Sequence, residues 1–82
     1  MAQTQIEVLI VTPEKVIYEG EATSIILPGE RGVFEVMAYH KHLLSRLLRG
    51  KVTMDGRVLP IKRGVAKVAL NKVTVIVEED AE

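Results

Sequence analysis

The sequence predicts an all-β domain, and three observations carry that prediction. Short apolar runs recur at close intervals, separated by Gly, Pro and Asn, which is the pattern of a sandwich or barrel. No stretch repeats its apolar residues at the spacing of a long amphipathic helix. The length, 82 residues with 48% hydrophobic and 27% charged content, suffices for one domain and leaves no room for a second. A chain of this size buries only ~60–65% of its unfolded surface, so the core is thin and any binding face shares residues with the fold. A large internal active-site cavity is not expected.

The expected boundaries are a flexible N-terminus over residues 1–5, a sandwich domain over 6–78 and an acidic tail over 79–82. Ile6, Val8 and Ile10 alternate with Glu7, Leu9 and Val11, which gives a first strand with one wholly apolar face. Pro13 ends it, because proline has no N–H for the ladder. Residues 16–19 read as a short strand closed by Gly20, and 23–27 as the next, stopped by Pro28-Gly29 and a turn that continues through Glu30-Arg31-Gly32. Residues 33–37 resume β character, and 43–48 fit either a strand or about one and a half helical turns, with an extended segment favoured. The clearest hairpin joins 51–54 to 57–61 through Asp55-Gly56, a pair that accepts the positive φ angles of a type I′ turn. Gly64 starts a further pair, 65–70 and 73–77, which turns at Asn71-Lys72 because Asn tolerates the left-handed conformation. From Glu78 onward the apolar period is lost and the chain is expected to fray.

The formal net charge of zero conceals a pattern. Residues 1–40 carry two cations against six carboxylates, residues 41–72 nine cations against Asp55 alone, and residues 73–82 four carboxylates, so the balance runs −4, +8, −4. Such asymmetry implies either partner binding or pairing between the segments. The basic stretch alone would also suit a small β-barrel that binds nucleic acid through residues 41–72. The aromatics needed for base stacking are only Tyr18, Phe34 and Tyr39, on separate elements.

Catalytic chemistry finds little to work with. There is no cysteine, so disulfides, thiolate zinc sites and cysteine nucleophiles are excluded. Ser24 and Ser45 belong to no nucleophile motif, and Gly29 and Gly32 form neither GxxxxGK[ST] nor GxGxxG. His40 and His42 straddle Lys41 and would share a face of an extended segment. They have no third ligand nearby and a neighbouring positive charge, so hydrogen-bonded or surface histidines are expected rather than a metal site. No catalytic residue, metal or cofactor is assigned. The longest apolar runs, 8–11 and 73–77, are far short of the ~20 residues that cross a bilayer, and residues 1–5 lack the pattern of a signal peptide.

The order of the motifs is familiar. Residues 11–22 (Val11-Thr12-Pro13-Glu14-Lys15-Val16, then Ile17-Tyr18-Glu19-Gly20-Glu21-Ala22) followed by Ile25-Ile26-Leu27-Pro28-Gly29-Glu30-Arg31-Gly32 resemble the start of the epsilon subunit of F-type ATP synthases, called delta in mitochondria. Residues 32–44 overlay the family's stretch ending in Pro-Gly-His-Ala-Pro-Leu-Leu, with His40 on the family histidine. Arg63-Gly64-Val65-Ala66-Lys67-Val68 is similar to its Gly-Gly-Phe-x-Glu-Val, and Asn71-Lys72-Val73-Thr74-Val75 to its Asn-x-Val-Thr-Val. The resemblance covers residues 6–81. Ala38-Tyr39 replaces the family's Pro-Gly, His42 its following Pro, Glu35 a glycine and Arg63 the first Gly of its pair, so the backbone of the 35–42 loop is expected to differ.

The resemblance implies a β-sandwich of two five-stranded sheets. It also implies a non-catalytic subunit of the central stalk, or rotor, in a proton- or sodium-translocating ATP synthase, which couples the gamma subunit to the membrane c-ring. The expected place is peripheral, at the cytoplasmic face of the cell membrane, without membrane insertion. Family members usually continue into two C-terminal helices that carry a regulatory latch and, in some bacteria, an ATP site. The chain ends before them, so neither inhibition nor nucleotide binding is expected. Carried over position by position, Thr12, His40 and Ser45 face gamma, while Glu30, Arg31 and Val33 lie in the turn that faces the c-ring. Many family members have an acidic residue at the position of Val33, so the charged contact to the ring is expected to be either missing or shifted to Glu30.

Overall fold

Side-chain alternation with a period of two decides which residues enter the core. The computed structural model describes residues 5–80. In β1 (Ile6–Val11) the residues Ile6, Val8 and Ile10 are buried while Glu7 is exposed, as the alternation requires. Seven further strands follow: β2 (Val16–Ala22), β3 (Ser24–Gly29), β4 (Gly32–Met37), β5 (Leu43–Leu47), β6 (Gly50–Met54), β7 (Arg57–Ala69) and β8 (Lys72–Glu79).

Hydrogen bonding arranges them as two layers of a sandwich. One layer is the five-strand run β2-β1-β8-β7-β5, and the other is β4-β3-β6-β7, so the 13-residue β7 serves both. Its first half, to Ile61, pairs with β6; β8 pairs with it from Ile61 onward, and β5 from Gly64. A register shift between Ile61 and Arg63 marks the bend between them. The sandwich is as expected, with one five-stranded sheet. The second layer has four strands, and the expected ten reduce to eight because this layer is one strand short and β7 is counted in both. The core is a single cluster fed by both layers, with Val8, Val73 and Val75 from one and Ile25, Leu27 and Val36 from the other. β1 and β8 lie side by side and parallel, which no local pattern announces.

Several boundaries differ from the sequence expectation because pairing overrides a local signal: Pro28 and Gly29 do not stop β3 but pair with Val33 and Gly32. Gly20 does not close β2; it lies opposite Val8, with the Tyr18 ring folded over it and the Tyr18 hydroxyl donating to the Glu21 carbonyl at 2.8 Å. Gly64 does not start a strand but sits inside β7, where a Cβ would come within 2.5 Å of the Ile76 carbonyl oxygen. The β7–β8 turn is Leu70-Asn71, one residue earlier than expected, with φ of 53° and 61°. At the other end, Glu78 and Glu79 belong to the β8 ladder rather than to a frayed tail. Arg63 pairs with Glu78 at 3.0 Å and Lys15 with Glu79 at 3.8 Å, which offsets the missing apolar period. Residues 1–4 and 81–82 of the expected flexible terminus and acidic tail lie outside the described residues. The Asp55-Gly56 hairpin forms as expected, with φ of 46° and 86°. Its Asp55 carboxylate also accepts from Thr23 N, at 3.1 Å from one oxygen and 3.3 Å from the other, and so ties the hairpin to the β2–β3 corner.

Candidate partner-binding site

β5 separates two surface grooves, and five of the six residues predicted for partner contact line one of them. β3 reverses into β4 through Glu30-Arg31, with Gly29 opposite Gly32. Gly29 is needed there because a Cβ would meet the Phe34 ring at 2.6 Å. The turn is fastened to β5: Glu30 N donates to the Arg46 carbonyl at 3.1 Å, Leu48 N donates to the Pro28 carbonyl at 2.8 Å, and the Glu30 carboxylate lies 3.6 Å from Arg46 Nε. The resulting groove, about 620 Å³, is lined by Glu30, Arg31, Val33, Phe34, His40 and Ser45 among others. Five of the six carried-over residues therefore meet in one place. Val33 is 73% exposed on its rim.

His40 enters this groove from the 38–42 loop. Tyr39 takes the positive φ, 66°, that glycine would supply more cheaply, and its N–H donates to the Asn71 side chain at 2.8 Å. His40 N donates to the Met37 carbonyl at 3.2 Å, and its Nδ1 donates to the Lys41 carbonyl at 2.7 Å, since a carbonyl can only accept. His42 is exposed and does not line the groove. Among the described residues, no three His, Cys, Asp or Glu side chains gather as a metal centre would need.

Thr12 stands apart from the other five. Its hydroxyl accepts from Glu14 N at 3.2 Å and Lys15 N at 3.1 Å, and its own N–H donates to the Lys15 carbonyl at 2.8 Å, so it shapes the β1–β2 loop. The adjacent Pro13 belongs to the second groove, about 560 Å³, whose apolar floor includes Leu48, Val65 and Ile76. Arg49 and Lys62 stand at its edge, and Arg46 lines both grooves. This groove was not foreseen from sequence. Its signal is the outward aliphatic row Val16, Val11, Ile76, Val65, and those residues become neighbours only through the β2-β1-β8-β7 register.

The charge pattern is resolved partly by internal pairing. Arg46, Arg49 and Arg63 of the basic segment pair with Glu30, Asp80 and Glu78 of the acidic flanks. Arg57 lies over the Tyr18 ring at 5.3 Å. Lys41, Lys51, Lys62, Lys67 and Lys72 make no ion pair among the described residues, and they are spread over a loop and three strands. Of these five lysines only Lys62 lines either groove. Among the described residues, no helix is long and apolar enough to cross a membrane.

Comparison with known proteins gives consistent results. Residues 5–82 match the family described as the β-sandwich domain of the ATP synthase delta/epsilon chain. The chain is similar to the ATP synthase epsilon chain of Sulfurimonas denitrificans, with 39% identity over 95% of this chain and 62% of that one. It is 37% identical to the epsilon chain of Chlorobium limicola, covering 85% of each. In structure it is similar to a chain of the Euglena gracilis mitochondrial ATP synthase, with a TM-score of 0.87 over 96% of this chain and 54% of that one at 19% identity. A chain from the central stalk/c-ring structure of the Tetrahymena thermophila enzyme gives 0.77, at 15% identity over 96% of this chain and 67% of that one. These two structural likenesses speak to the fold. The chain spans less than two thirds of the Sulfurimonas relative.

Proposed function

The chain belongs to the ATP synthase delta/epsilon β-sandwich family, and on that footing we propose that it is a non-catalytic central-stalk subunit coupling gamma to the c-ring. The turn carrying Glu30 and Arg31, with Val33 beside it, faces the polar loops of the ring of a proton- or sodium-translocating enzyme. His40, Ser45 and the Thr12 loop face gamma, and the apolar groove beside Pro13 widens that contact. In the complex the domain is peripheral to the membrane, at its cytoplasmic face, and holds no cofactor.

One observation carries this reading: the turn and the strand assigned to the two partners are fastened to each other. The Glu30–Arg46 backbone bond, the Leu48–Pro28 bond and the Glu30–Arg46 ion pair span from one contact to the other without an intervening mobile segment. A coupling part needs this property, because displacement at one contact must arrive at the second rather than be absorbed between them. The deciding experiment mixes the purified chain with recombinant gamma and, separately, with detergent-solubilised c-ring from the same cells. A gamma complex at micromolar concentration, weakened by Ser45→Arg, is expected. No complex at low or moderate salt would overturn the proposal.

A further inference from the structure

Among the described residues, two of the four non-glycine residues with positive φ meet at one point. Asn71 (φ 61°) is the second residue of the β7–β8 turn, and Tyr39 (φ 66°) lies in the 38–42 loop. The turn by itself requires only a residue that accepts the left-handed region, which glycine does at least as well as asparagine. The carboxamide does something that glycine could not. Its Oδ1 accepts from Tyr39 N at 2.8 Å, and its Nδ2 donates to the Gln5 carbonyl at 3.0 Å. The Asn71 main-chain carbonyl accepts from Glu7 N at 3.2 Å. The start of β1, the β7–β8 turn and the 38–42 loop are thus joined through one residue.

The consequence falls on His40. Tyr39 holds a backbone conformation that its Cβ disfavours, so a partner is needed to keep it there. His40 follows directly, and its amide and ring are bonded within the same loop, to the Met37 and Lys41 carbonyls. Fixing the Tyr39 peptide therefore fixes where the imidazole enters the groove.

We propose that Asn71 is a positioning residue for the partner-binding groove: its carboxamide holds the Tyr39 peptide, and with it His40, where a partner meets them. The positioning role rests on the reading that this groove meets gamma, whereas the pin itself does not. Two variants of the 82-residue chain separate the contributions. Asn71→Gly keeps the turn and removes the carboxamide; Asn71→Asp keeps an acceptor for Tyr39 N and loses the donor to Gln5.

Amide hydrogen exchange is measured first, without any partner. In Asn71→Gly the Tyr39 amide is expected to exchange about five- to tenfold faster, the scale of one lost hydrogen bond, while the Thr53 amide keeps its rate. In Asn71→Asp the Tyr39 amide stays protected. Unchanged Tyr39 exchange in Asn71→Gly, or lost protection in Asn71→Asp, overturns the pin. Titration with gamma is then expected to give a Kd raised about fivefold in Asn71→Gly and less in Asn71→Asp. Faster exchange with unchanged affinity overturns the positioning role. A wild-type chain that does not bind gamma overturns that role together with the reading it rests on, and the exchange rates still decide the pin.

Discussion

The two grooves beside β5 are built from different material. The one around Glu30, His40 and Ser45 lies along β4 and β5 but is closed by two turns, the Glu30-Arg31 turn and the 38–42 loop, held by main-chain bonds, the Asn71 carboxamide and an exposed ion pair. The one around Pro13, Val65 and Ile76 is the outer face of a sheet whose inner face, through Ala66, Val75 and Val77, is the core. A disturbance in the second groove is one strand thickness away from the core. A disturbance in the first meets the fastened turn and the 38–42 loop before it reaches the core. The two grooves thus stand at different distances from the core, and substitutions on both sides can break or sharpen the contrast.

The largest effect is expected from Gly64→Ala. The new Cβ would stand 2.5 Å from the Ile76 carbonyl oxygen and 2.9 Å from Val77 Cγ1, so β7 and β8 must part. A loss of about 3 kcal/mol or more is expected in chemical denaturation. A loss below about 1 kcal/mol would mean that the sheet-built groove yields as easily as the turn-built one.

Gly29→Ala is the counterpart in the turn-built groove. Its Cβ would meet the Phe34 ring at 2.6 Å, but that ring is half-buried and can swing aside, so about 1–2 kcal/mol is expected. Ile76→Thr, at a position 50% exposed, should leave stability within about 1 kcal/mol and weaken gamma binding about fivefold. Calorimetry would detect that change, and unaltered affinity would remove the apolar groove from the contact. Arg46→Ala is expected to be the mildest. It removes an ion pair whose side chains are 76% and 50% exposed, so the melting temperature should barely move and the change should vanish in high salt.

What could be read from sequence follows the same division. Asp55-Gly56 was legible because the turn chemistry is local and nothing tertiary competes with it. Gly20 and Gly64 were misread as breaks, since from sequence a glycine that makes room for a neighbour looks the same as one that ends a strand. The neighbours that decide the matter, Tyr18 folded back and the Ile76 carbonyl, appear only after pairing. Among the candidate site residues, Glu30, Arg31, Val33, His40 and Ser45 came from motif resemblance, and their convergence was not visible in any spacing. The Val16, Val11, Ile76, Val65 row was hidden for a related reason. It crosses four strands and requires the parallel β1–β8 register, which connects residues more than 60 positions apart.

That parallel pair also sets how the domain bears mechanical load. Drawing Ile6 and Glu79 apart puts the five register pairs from Glu7–Lys72 to Val11–Ile76 in shear, so they resist together. Opening β6 from β7 at Gly50 and Ile61 strains the ladder one rung at a time, as a zip opens. The chain has no native cysteine, so handles for single-molecule pulling can be placed at either pair without competition. Rupture forces that are equal in the two geometries would sink the idea; a higher force along β1 and β8 is expected. A strut with this anisotropy would be rigid along its strands and compliant across them, which would suit the coupling role proposed above.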